Sequence, residues 1–390
     1  MAGEASIESG SIAFGRAALP LFALDSDAIF LNHGSFGAPP RAVLDAQGAI
    51  RARLEAQPVA FFVEEYPAAV RAAAARLAGF VGARGEDLAF VENATAGANA
   101  VLRSLSFAPG DEIATTTHCY GAVRQVLRHL EATTGAIVVE ADPPWPARDA
   151  QSVAEAVEAA MGKRTRLVVI DHLASRSALI FPVERIVRAA KSVGARVLID
   201  GAHAPGQLAL DVAALGADWY VGNAHKWLLA PKGCGFLWAA VGARDGLHPP
   251  VISHDYGKGF PAEFDWIGTR DPSAWLAVGA AIDFVEGIGA ARLRERNHAL
   301  AVEAGAMLAR AWRTGTGAAP ELFGSMATVR LPGACEASFE SALALRARLW
   351  AEHRIEVMIM PFAGALWARV SAQIYNEAGD YARLAAAVTA

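Results

Sequence analysis

From residue 87 to residue 240 the chain alternates short β-rich runs with helix-like stretches, and no other feature narrows its fold as far. The runs fall at 87–92, 112–117, 136–141, 166–171, 196–200, 219–222 and 235–239. Most are uninterrupted apolar stretches such as LVVI and VLI, the pattern of strands buried on both faces. Strands alternating with helical periods imply βαβ units and a mainly parallel sheet covered by helices. Alanine-rich stretches at 70–78 and 154–160 read as helices, because alanine gives up no side-chain entropy there.

After Pro272 the texture changes. A long helical stretch, 273–312, is interrupted at 287–289. A strand-like run at 326–331, a helix over 338–353, two more β-rich runs at 356–360 and 365–371, and a last helix from about Asn376 follow. This reads as a second, smaller α/β domain. The expected organisation is an N-terminal extension (1–25), a large domain (26–265) and a small domain (266–390). Residues near 26–60 are expected to pack with the small domain.

A length of 390 residues suits two domains better than one. With 54% hydrophobic and 19% charged residues the chain can bury a large core, which argues against disorder. A net charge of −5 offers no footprint for nucleic acid, and the basic cluster at 292–296, interrupted by Glu295, reads as a solvated helix face. Apolar runs are broken by charges or prolines before they reach membrane-spanning length. Three scattered cysteines, Cys119, Cys234 and Cys335, form neither a disulfide framework nor a thiolate metal site. The acidic start MAGEASIESG lacks the apolar region of a secretion signal, so the cytoplasm is the expected compartment.

Ligands in open α/β sheets gather beyond the carboxyl ends of the strands. There the sequence places NATAGAN (93–99), His118, DHLASRS (171–177), LIDGAHAPG (198–206) and GNAHKW (222–227). Lys226 stands between His225 and Trp227, and an amine desolvated among apolar and cationic neighbours becomes a nucleophile toward carbonyls. Taken alone, such a lysine reads more readily as an exposed loop residue. Asp200 closes the apolar strand RVLID, where a carboxylate is costly unless it meets a cation; otherwise it is a turn or capping residue. A pyridoxal phosphate (PLP) ring supplies such a cation, since a carboxylate against the pyridine nitrogen keeps it protonated.

LIDGAHAPG, followed by GNAHKWL and PKGCGFLW, resembles the class V aminotransferase group of fold-type I PLP-dependent enzymes, and most of all its isopenicillin N epimerase-like branch. LNHGSFGAPP (31–40) and DHLASRSALIFPVE (171–184) add to the resemblance, which spans about residues 31–376. It implies a seven-stranded, mainly parallel sheet in the large domain, with PLP bound as a Schiff base to Lys226 and Asp200 at the ring nitrogen. By the same resemblance Ala94, Thr95 and Ala96 cradle the phosphate at a helix N-terminus, although NATAGAN also fits a plain N-cap. His118 stacks on the ring face opposite Lys226, His203 and Ser175 lie near the ring hydroxyl, and His225 reaches the phosphate. Ala174 stands where the family has a threonine, so that residue's hydrogen bond is absent. Thr269, in DWIGTRDPSAW, reaches the phosphate of a neighbouring subunit's cofactor, which implies a homodimer with shared sites. Arg369, in LWARVSAQIYN, grips the substrate carboxylate. Asn32, His33 and Ser35 line the substrate mouth, where flanking glycines permit close approach.

The implied chemistry is removal of the α-proton of an amino acid by Lys226, ending in epimerisation, transamination or loss of a β-substituent. The branch favours an epimerase-like or aminotransferase-like activity. A cysteine desulfurase is disfavoured because PFAGAL (361–366) has no cysteine, whereas a C–S lyase that needs no thiol stays open. A non-catalytic ligand-binding protein on the same fold is the alternative of another class; the presence of Lys226 speaks against it.

Overall fold

The computed structural model describes residues 12–333 and 336–390. Residues 1–11 of the expected extension and Cys335 lie outside the described residues. The remainder of 1–25 folds into the body: Phe22 is buried edge-on against Phe284 and Tyr375, and the Gly15 amide donates to the Ile374 carbonyl.

In chain order the strands are β1 (Ile29–Phe30), β2 (Leu88–Val91), β3 (Glu112–Thr116), β4 (Ile137–Ala141), β5 (Thr165–Asp171), β6 (Arg196–Gly201), β7 (Trp219–Asn223), β8 (Gly235–Ala239), β9 (Met326–Arg330), β10 (Ile355–Glu356), β11 (Met358–Phe362) and β12 (Ala365–Ser371). Seven form one sheet in the order β2-β8-β7-β6-β5-β3-β4. Only β8 runs antiparallel to its neighbours, so the sheet is mainly parallel as the sequence implies.

The period-2 alternation of the apolar runs splits them between two cores. Val168, Ile170, Val197, Ile199 and Tyr220 face one side. Leu167, Val169, Leu198, Trp219 and Val221 face the other, against Ala98 and Val101 of the helix Ala94–Ser104. This covering on both faces is why the central strands read as unbroken apolar stretches. Edge strand β4 is the exception, with Ile137 exposed. Strand order reverses between β3 and β5, and such a reversal opens a crevice at the carboxyl ends of the strands.

The run expected at 356–360 divides in two. Strand β10 pairs in parallel with β1, which sequence reasoning missed, while β11 pairs antiparallel with β12 in a three-stranded sheet with β9. Two-residue β1 carries no alternation to detect; its partner across the chain defines it. The long helical stretch breaks near its expected point, into Ser273–Leu276, Val278–Ile288 and Ala290–Trp312, with Gly289 at φ +91° between the last two.

Gly235 at the start of β8 fixes the first wall of the crevice. A Cβ there would meet the Asn93 backbone at 2.6–2.9 Å, just where the helix Ala94–Ser104 begins. Gly235→Ala is therefore expected to cost about 1–3 kcal/mol, measured as a lower urea midpoint, and to weaken cofactor retention by shifting that helix terminus.

Candidate active site

The crevice is a cavity of about 350 Å³, into which the ends of β2, β5, β6 and β7 deliver side chains. Lys226 follows β7 and is buried. Its backbone is pinned: its carbonyl accepts from His33 Nε2 at 3.0 Å and from the Leu229 amide at 3.2 Å. Its Nζ lies 3.1 Å from His203 Nε2, and the Trp227 indole N–H points at His203 Nδ1 from 3.4 Å. An indole N–H can only donate, so Nδ1 is the bare nitrogen and Nε2 carries the proton. That proton then meets the lone pair of a neutral lysine amine. Burial, with help from the Arg369 charge, lowers the Lys226 pKa to about 7, against the opposing pull of Asp200 and Asp171. The amine is thereby ready as a nucleophile near neutral pH.

Asp200 ends β6, buried, and accepts the Ala202 amide at 3.0 Å. Asp171 ends β5 directly opposite it in register, also buried and lining the cavity. Burial raises the pKa of both against the opposing pull of Lys226 and Arg124, and among the described residues neither carboxylate forms an ion pair.

At the opposite wall, the helix Ala94–Ser104 is capped by Asn93, whose Oδ1 accepts the Ala96 amide at 2.9 Å. The Ala94 amide donates to Asn223 Oδ1 at 2.8 Å. This corrects the expectation of three cradling amides: those of Ala94 and Ala96 already have acceptors. The Thr95 amide, second in the helix, has no intrahelical acceptor and lies with its hydroxyl in the cavity wall. His225 donates Nδ1–H to the Cys234 carbonyl at 3.1 Å, leaving Nε2 without a protein partner. Thr95, at the helix N-terminus, is thus the donor that this wall offers an anion. Burial lowers the His225 pKa to about 4, so its ring is neutral and would donate from Nε2 only after taking up a proton.

Arg369, on β12, is 1% exposed. Its Nη1 donates to the Ser175 carbonyl at 2.6 Å, its Nη2 to Ser35 Oγ at 3.2 Å and Asn32 Oδ1 at 3.3 Å. Its Nε has no acceptor, and among the described residues no carboxylate forms an ion pair with it. Burial lowers its pKa, to about 10, so it stays charged. A buried guanidinium held only by neutral groups suits an incoming carboxylate.

Four further expected residues sit elsewhere. His118 is packed edge-on among Trp145, Phe181 and Phe362, with Nδ1 2.7 Å from Ser177 Oγ, away from the cavity lining. Tyr120, two residues on, lines the cavity instead, because the turn after β3 carries the chain back over the crevice. His33 is fully buried between Tyr375 Oη and the Lys226 carbonyl, a brace for the lysine loop. Asn32 also braces, taking its bonds from Ser35 and Arg369; Ser35 itself reaches the cavity. Thr269 is exposed and does not line its own chain's cavity. Sequence reasoning gave no role to Asp171, Tyr120, Asn223 or Phe36, all of which line it. Asp171 carried the signal that exposed Asp200, a carboxylate closing an apolar strand.

One cavity therefore joins an amine of lowered pKa, a buried carboxylate pair and a helix N-terminus, and the unpaired Arg369 guanidinium lies directly behind its Ser35 and Ser175 wall. Those are the groups that hold PLP and the carboxylate of an amino acid, and the residues present fit the cofactor. The fold and site are those of a fold-type I PLP-dependent enzyme.

The model of the aminotransferase class-V family matches residues 29–349. The chain is 37% identical over 386 residues to isopenicillin N epimerase of Amycolatopsis lactamdurans, covering 94% of this chain and 95% of that one. It is 33% identical over 394 residues to L-cysteine desulfhydrase of Arabidopsis thaliana, covering 92% and 87%. Among solved structures, the cysteine desulfurase CsdA of Escherichia coli has the same fold, with a TM-score of 0.79 at 20% identity, covering 97% and 98%. The chain belongs to the class V aminotransferase family.

PLP capture by the cofactor-free protein is expected to speed up as pH rises through about 7, where the Lys226 amine loses its proton. Stopped-flow absorbance follows it. Acceleration continuing toward about 10, as for an ordinary lysine, would contradict the desolvated amine.

Proposed function

We propose that this enzyme removes the α-proton of a small L-amino acid and expels its β-substituent, acting as a C–S lyase on cysteine or a close analogue. The observation that carries the reading is the cavity: about 350 Å³, near the lower end of small-molecule sites, has to hold cofactor and substrate together. A compact substrate suits that space. Relatives named L-cysteine desulfhydrase support the same reading.

Arg369 fixes the substrate carboxylate with its fork, which orients the α-carbon. Bound PLP supplies the electron sink for the charge left when the α-proton departs. Lys226, buried and neutral, takes that proton at Nζ, and His203 steadies the amine through Nε2. Asp200 supplies the negative charge that a protonated ring nitrogen requires. With cysteine, the Cα–H and Cβ–S bonds break, sulfide leaves, and water carries the remainder to pyruvate and ammonia. No cysteine thiol lines the cavity among the described residues, so the reaction is assigned to the lysine alone.

Epimerisation is the second reading, favoured by 37% identity to the isopenicillin N epimerases of two organisms. It requires proton return to the opposite face of the α-carbon. Pairing of two chains, with Thr269 reaching the partner's cofactor, belongs to both readings.

The test is incubation of the PLP-loaded enzyme with L-cysteine in deuterated water. Elimination yields pyruvate and sulfide; epimerisation returns deuterium-labelled cysteine of both hands and sinks the lyase assignment. Arg369→Ala is expected to lower kcat/KM by about 100-fold or more, as when a buried charge pair loses one partner. The cofactor's visible absorbance should persist in that variant.

A further inference from the structure

Asp171 is buried, lines the cavity and has been given no task by the chemistry above. It ends β5 as Asp200 ends β6, and the two are Cα partners across adjacent parallel strands. Side chains at paired positions of neighbouring strands point to the same face, so the carboxyl groups share one desolvated space. Two carboxylates held so close cannot both ionise without an added cation. When PLP is bound, one pyridinium nitrogen offers one such charge, which leaves one carboxyl over.

Which of the two keeps the proton follows from their neighbours. Asp200 accepts the Ala202 amide at 3.0 Å, a bond that favours its ionised form. Asp171 faces Asp200 from β6, the buried Cys119 thiol and the Tyr120 amide from the turn after β3, Arg124 from the helix Gly121–Thr134, and Lys226 from the loop after β7. Arg124 is already spent on the carbonyls of Thr116 and Thr117 and on Glu140, so little of its charge is free for Asp171. The Tyr120 amide is its one neighbouring backbone donor from another residue. Burial and the Asp200 charge together raise its pKa well above the usual carboxylate range.

We propose that Asp171 and Asp200 hold a single proton between them, carried by Asp171, so that Asp171 is a positioning residue that keeps Asp200 as the one ionised carboxylate for the cofactor ring. The proposal rests on PLP binding and not on the choice between elimination and epimerisation. It also accounts for an acidic residue in a wall where a second negative charge would compete for the ring's single proton.

Infrared difference spectra of the PLP-loaded protein test it. At neutral pH the wild type is expected to show the C=O stretch of a protonated buried carboxylic acid, and Asp171→Asn, a neutral group of the same shape, should lose that band. In Asp200→Asn the repelling charge is gone, so the band should vanish at a lower pH than in the wild type. Raising the pH should disturb the cofactor's visible absorbance in the wild type once Asp171 ionises, and Asp171→Asn should lack that alkaline change. A wild-type spectrum without the band, or a band that survives Asp171→Asn, would overturn the proposal. If Asp171→Asn does not fold, the Asp200→Asn titration decides it: an unmoved midpoint counts against a shared proton.

Discussion

An amine taken out of water beside two carboxylates organises this protein. Left in solvent, the lysine at position 226 would be a protonated surface charge. Here burial and the Arg369 guanidinium outweigh the two acidic groups and lower its pKa to about 7. The geometry agrees: the Trp227 indole fixes the His203 tautomer, and His203 then presents a proton to the Lys226 lone pair. His33 holds the lysine's own carbonyl from behind. Three aromatic side chains thus determine the state and place of one nitrogen.

The sheet serves to bring polar groups together where a solvated chain would keep them apart. Its parallel strands end in Asp171, Asp200 and the loop bearing Lys226, and a separate three-stranded sheet contributes Arg369. Each of these groups is buried with less compensation than burial normally demands. Arg369 keeps an unsatisfied Nε, and among the described residues the paired carboxyls form no ion pair. Such deficits destabilise the fold by themselves. They are reconciled when a cofactor with a phosphate and a protonatable ring, and a substrate with a carboxylate, supply the missing partners.

Much of this was legible in the residues. Unbroken apolar runs gave the central strands, because being covered on both faces leaves no polar position to interrupt them. Asp200 and Lys226 stood out because each breaks an apolar context, and both lie in the cavity. Legibility failed where position depends on the path of a turn. His118 and Tyr120 are two residues apart, and only the bend after β3 decides which faces the crevice. His33 sits in a glycine-flanked motif suited to a substrate mouth, yet its ring turns inward to Tyr375. The occupation of the Ala94 amide by Asn223, 129 residues away, has no local signature at all. Strand β1 likewise exists only through its pairing with β10.

The central claim is that Lys226, and no other lysine, bonds to the cofactor. Reduction of the PLP-loaded protein with borohydride, digestion and mass spectrometry of the labelled peptide address it directly. The phosphopyridoxyl label is expected on Lys226, with no labelling in Lys226→Ala. A label on Lys232, six residues away in the same loop, or undiminished labelling of Lys226→Ala, would contradict it.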